Sequence, residues 1–125
     1  MRREKFEELV AEALEGLPQD FQEKLENIAV VVQDWPTLDQ LASVGFRHRG
    51  DLLGLYEGIP LTKRGRRQSM VLPDRISIFQ KPIERICRSE EEIMRRVGGT
   101  VRHEIAHYFG ISDERLREMK RQKGR

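Results

Sequence analysis

His103-Glu104-Ile105-Ala106-His107-Tyr108-Phe109-Gly110-Ile111-Ser112-Asp113 is the stretch on which the reading of this chain turns. It is H-E-x-x-H followed by x-x-G-x-x-D. On one helix the pattern sets two imidazoles one turn apart with a carboxylate beside them. Two neutral imidazoles and a third ligand form a zinc site with an open position, and the Glu is placed to take a proton from a water there. The chemistry implied is hydrolysis, with the peptide bond as the leading substrate. The chain holds only three histidines, so two of them flanking a Glu at this spacing is a poor fit to accident.

The surroundings suit the pattern. Ser89-Glu90-Glu91-Glu92 reads as a capping box, with Ser89 as N-cap and Glu92 reaching back. A helical run then extends to Phe109, and Gly110 suits the left-handed residue that ends it. Projected at 100° per residue from His103, His107 lies at about 40° and Glu104 at about 100°. Ile93, Met94, Val97, Val101, Ile105, Tyr108 and Phe109 span roughly 80° to 240° on the same wheel. The two histidines therefore sit on the rim of the core-facing stripe, and Glu104 falls inside it. A carboxylate there is costly unless it is paired, raised in pKa, or turned to a polar cavity. The bland alternative makes His103 and His107 ordinary half-buried histidines, with Glu104 paired to Arg95, Arg96 or Arg102.

Gly110 lets the chain reverse directly after the helix. Asp113, three residues on, has two readings. It returns to the metal as a carboxylate ligand, or it caps a following helix over about Glu114–Arg121. The glycine turn and the spacing favour the ligand.

Outward from the motif, Phe6, Leu9, Val10, Ala13, Leu14 and Leu17 follow helical spacing, with the helix ending near Gly16. Pro18 opens a second short helix to about Leu25. Ile28–Gln33 is a β-branched run and reads as a buried strand. Thr37 caps a short helix over Leu38–Ser43. Asp51–Glu57 reads as a second strand and Arg75–Gln80 as a third. Between them lies Gly58–Asp74, a polar, basic loop of a length usually tied to function. Pro82 starts a helical stretch, Ile83–Arg88, leading into the motif helix. This order predicts an α/β (α+β) fold, a small mixed β-sheet packed with helices, in one domain over residues 1–125.

The chain resembles the minimal zincin-like metallopeptidases of bacteria, which carry H-E-x-x-H-x-x-G-x-x-D near the C-terminus. The likeness extends to Val30-Val31-Val32-Gln33-Asp34-Trp35-Pro36, to Leu52-Leu53-Gly54-Leu55-Tyr56-Glu57-Gly58-Ile59-Pro60-Leu61-Thr62, and to Pro73-Asp74-Arg75-Ile76-Ser77-Ile78-Phe79. The resemblance implies a zincin-like fold with the motif helix under the sheet. It implies one Zn2+ held by His103, His107 and Asp113, and Glu104 as catalytic base. It also implies an extended peptide or protein substrate pairing with an edge strand over the metal. The candidate edge is Leu52–Ile59 or the basic loop after it, with Leu55, Tyr56, Glu57 and Gly58 as substrate-binding candidates, because a free edge offers unpaired N–H and C=O groups. Tyr56 is in reach of such a cleft, Tyr108 reads as packing, and His48, in Arg47-His48-Arg49, reads as a surface residue.

Composition narrows the alternatives. Residues 1–60 hold 6 Lys/Arg and 12 Asp/Glu, a net −6, and residues 61–125 hold 17 and 9, a net +8. The basic run Lys63-Arg64-Gly65-Arg66-Arg67 and the basic tail suit phosphate or acidic partners. No aromatic-rich basic surface or nucleic-acid motif accompanies them, so a nucleic-acid or ribosome-associated binder is the weaker expectation. A zinc-binding but catalytically idle interaction module is the other alternative. The single cysteine, Cys87, excludes an intrachain disulfide and reads as a small core residue. The charged start lacks an apolar signal core, and no apolar run approaches a membrane span, so the expected location is the cytoplasm and no membrane is expected as partner.

Overall fold

Ile28–Gln33, the β-branched run of the sequence, forms strand β1, and Asp74–Phe79 pairs with it in parallel as β3. Gly54–Glu57 is β2, antiparallel to β3 on its other side, so the sheet order is β1-β3-β2. The computed structural model describes residues 1–58 and 74–110. Among these residues five α-helices accompany the mixed sheet: α1 Arg3–Glu15, α2 Gln19–Leu25, α3 Leu38–Ser43, α4 Gln80–Ile86 and α5 Glu90–Phe109. The expected helix over Glu114–Arg121 and residues 59–73 of the basic loop lie outside them.

The alternation of β3 divides the interior. Ile76 and Ile78 point to one face and join Phe6, Leu9 and Val10 of α1 and Ile93, Val97, Val101 and Ile105 of α5. The last four recur every fourth residue, which keeps them on one stripe of the helix. Phe79 points to the opposite face and packs with Leu41, Leu52 and Leu55 beneath α3. Burying each of these large side chains stabilises the fold by about 1.5–3 kcal/mol, and Phe6, Phe21, Phe79, Ile76 and Ile78 are fully buried. No helix among the described residues is long and apolar enough to cross a membrane.

Several element ends differ from the sequence reading, β3 running Asp74–Phe79 rather than Arg75–Gln80 and α4 ending at Ile86 rather than Arg88. β2 begins at Gly54 rather than Asp51, because Arg49–Asp51 closes a 3-10 turn with Asp51 N–H donating to the His48 carbonyl at 3.0 Å. Helix α4 begins at Gln80, before Pro82. Proline is tolerated there because the first-turn N–H groups have no intrahelical acceptor. At the start of α5 the Ser89 hydroxyl accepts from Glu92 N–H at 3.1 Å, as a cap should. The Glu92 carboxylate reaches past the N-cap to the Arg88 N–H at 3.1 Å, so the reciprocal half of the expected capping box is shifted by one residue.

Candidate metal centre and substrate cleft

Helix α5 carries the whole H-E-x-x-H segment in its last two turns and ends at Gly110, whose φ of 70° is the left-handed conformation expected of it. His103 and His107 are both exposed, and their ring centroids lie 4.5 Å apart at 40°. Glu104, between them in sequence, is half-buried and turns toward β2. Its Oε1 accepts a hydrogen bond from the Tyr56 backbone N–H at 2.9 Å. This is the partner that a carboxylate inside the apolar arc requires, and none of Arg95, Arg96 or Arg102 supplies it.

The contact is one rung of a register between helix and strand. A Cβ on Gly54 would lie 2.6 Å from Thr100 Cγ2, and a Cβ on Gly58 would lie 2.9 Å from the Tyr108 hydroxyl. Thus Gly54, Tyr56 and Gly58 stand beside Thr100, Glu104 and Tyr108. Four helical residues rise about 6.0 Å, and two strand residues rise about 6.8 Å. The near match lets α5 and β2 run side by side in the same direction.

Register within the sheet decides which backbone groups of β2 face outward. Phe79 N–H donates to the Leu53 carbonyl at 2.9 Å, and the pairs Leu55–Ser77 and Glu57–Arg75 follow in step. Leu53, Leu55 and Glu57 therefore bond inward to β3, and Gly54 and Tyr56 direct N–H and C=O, and Gly58 its N–H, to the edge away from β3. Among the described residues β2 is an edge strand.

A cavity of about 700 Å³ opens beside this edge. Leu52, Leu53 and Gly54 wall one side, and Thr100, His103 and Glu104 the other. Toward the start of α5 its lining becomes charged, with Arg95 and Arg96 against Asp51 and Glu92. Cys87 lies in the same wall. Burial pushes its thiol above the ordinary value, partly offset by the Arg96 guanidinium. A raised thiol stays protonated at neutral pH and is a poor nucleophile, in line with a packing role.

The candidate substrate residues divide by face. Tyr56 presents its N–H to Glu104, stacks its ring on Tyr108 with centroids 4.0 Å apart, and donates its hydroxyl to Asp74 Oδ2 at 2.6 Å. Tyr108, expected to pack inward, is 52% exposed and stacks at the cleft's far end instead. Leu55 is buried under α3. Glu57 also points away from α5, where its Oε1 accepts from Gln40 at 3.0 Å, Ser77 at 3.1 Å and Arg75 at 3.2 Å. Leu55 and Glu57 thus offer the cleft no side chain. Gly58 lies against Tyr108, and His48 is exposed beside the 3-10 turn. Asp113 lies outside the described residues. The sequence reading gave no site role to Thr100, Asp74 or the cavity-lining Phe46. The glycine inside a strand was the available signal for the first, since it marks a close approach of another element.

The donor chemistry fits zinc in part. Two imidazoles one helical turn apart are ligands that zinc accepts. No group of three His, Cys, Asp or Glu able to hold a metal is gathered among the described residues. No curated protein matches the chain. The sequence model of the zincin-like metallopeptidase family matches residues 25–123, a span that takes in the whole sheet, the edge strand and the H-E-x-x-H helix. The chain belongs to the zincin-like metallopeptidase family.

Proposed function

We propose that this protein is a zinc-dependent peptidase that cleaves extended peptide or protein segments laid along β2. The observation that carries the reading is the position of Glu104, held at the outward edge of β2 with His103 and His107 beside it on the same helix. In this reading His103, His107 and Asp113 hold the metal. Bound there, zinc would polarise the attacking water and the scissile carbonyl. Glu104 takes one proton from that water on a carboxylate oxygen as the water oxygen bonds to the carbonyl carbon. The C–N bond then breaks, and Glu104 delivers the proton to the leaving amine nitrogen. Outward backbone groups of Gly54 and Tyr56, with the Gly58 N–H, hold the substrate main chain by strand addition, and the cavity beside Leu52 and Thr100 takes a side chain.

The test is a calorimetric zinc titration of chelator-stripped protein. It should give one tight site per chain, retained in Glu104→Gln and lost in His107→Ala. On a peptide library, Glu104→Gln should slow turnover by about 10²–10⁴-fold, the range of general acid–base catalysis. Tight zinc with no Glu104-dependent cleavage would replace the peptidase with an idle metal module. Absence of a tight site would remove both.

A further inference from the structure

The Tyr56 N–H that donates to Glu104 is one of the outward groups of β2, the kind an added strand must use. An N–H carries one proton, and the Glu104 Oε1 at 2.9 Å fills its acceptor position. A peptide carbonyl pairing at this point has to take the same place. We propose that Glu104 closes the edge of β2 against idle binding, and that seating a peptide strand is what releases its carboxylate toward the histidines. The inference rests on the peptidase reading for its consequence, and adds to it a gate in which substrate frees the base.

The geometry on either side supports a latch rather than a permanent fixture. Glu104 is half-buried, and the cavity of about 700 Å³ that it lines gives its carboxylate somewhere to turn. The backbone around Tyr56 does not depend on this bond, because Leu53, Leu55 and Glu57 hold β2 to β3. The neighbouring rungs, Gly54 on Thr100 and Gly58 on Tyr108, keep strand and helix at fixed separation when the middle rung opens.

The experiment uses the metal-free full chain, so neither zinc nor turnover enters. An acetylated, amidated pentapeptide of alternating Val and Thr is titrated into parent, Glu104→Ala and Glu104→Gln, followed by backbone amide NMR. Removing a charge-assisted acceptor while the peptide supplies a neutral one should tighten Glu104→Ala binding about three- to tenfold. Glu104→Gln, whose amide oxygen still reaches the N–H, should stay within about threefold of the parent. Without peptide, the Tyr56 amide should exchange with solvent deuterium about tenfold or more faster in Glu104→Ala than in the parent, and peptide should slow it again. Alanine favours the helix at this position, and Glu104→Met, which also lacks an acceptor for the Tyr56 N–H, carries the same expectation if that variant fails to fold. Equal affinity in parent and Glu104→Ala, no binding to either, or unchanged Tyr56 exchange would each overturn the gate. A failed zinc titration would instead overturn the peptidase and leave this result standing.

Discussion

Glu104 shows what a single residue's position demands of the rest of the chain. Its place in the apolar arc of α5 predicts a partner, and the partner is a main-chain N–H 48 positions away. Arg3 is a second such case. Its guanidinium donates to Asp34 at 2.7 Å, to the Val32 carbonyl at 3.0 Å and to Gln80 at 3.1 Å, tying the start of α1 to the end of β1. The Arg3 hydrogen bond holds the Asp34 carboxyl below its ordinary value of 3.8. A lowered folded value means that the stabilisation is present above the unfolded value and is lost as pH falls through the folded one. In thermal melts from about pH 5 down to pH 2, Asp34→Asn should therefore lose Tm less steeply than the parent below about pH 4. Parallel curves would show that the pair contributes nothing, which the exposure of the carboxylate, 58%, makes a fair contest.

At the scale of elements, the separation of β2 from α5 is set where both backbones come closest. Gly54→Ala would drive a methyl to 2.6 Å from Thr100 Cγ2 and 3.2 Å from the Ser77 carbonyl. Overpacking of this kind costs about 1–3 kcal/mol, to be read from urea unfolding. Thr100→Ser removes the clashing methyl, so the double variant should recover more than half of the loss. A double variant no better than Gly54→Ala would place the strain at Ser77 instead. The same clash should part the Tyr56 N–H from Glu104, since that rung lies two residues along. Capping by Ser89 and the left-handed Gly110 bound α5 from within the sequence. The start of β2 was not legible in the same way, because Asp51-Leu52-Leu53 has strand-like composition while Arg49–Asp51 is held in a 3-10 turn, with the Arg49 guanidinium 4.4 Å from the Trp35 ring centre.

For the molecule as a whole, the candidate metal ligands and the core are separate. The apolar clusters on the two faces of the sheet include neither His103 nor His107, and both imidazoles are exposed. Chelator-treated protein should therefore keep its helical circular dichroism and unfold cooperatively, unlike small domains that fold only around zinc. Zinc at a hundredfold excess over Kd should add about 2.7 kcal/mol of stability by mass action alone. Loss of the cooperative transition on chelation would mean that bound metal holds the fold in a way the described core does not reveal.

Local chemistry made several features readable from the chain alone. β1 and α3 occupy the residues expected of them, and the reach of α5 from Ser89 to Gly110 follows from capping and helical period. Two histidines four residues apart must share a helix face, so their pairing also needed no tertiary knowledge. Sheet order, the outward set of β2 backbone groups, and the far-face placement of Leu55 and Glu57 depend on contacts between residues distant in sequence. Strand composition carries no record of which neighbour it pairs with. Glu104 belongs to both levels: helical period required that it be satisfied, and only the approach of β2 to α5 decided that the Tyr56 N–H would do so.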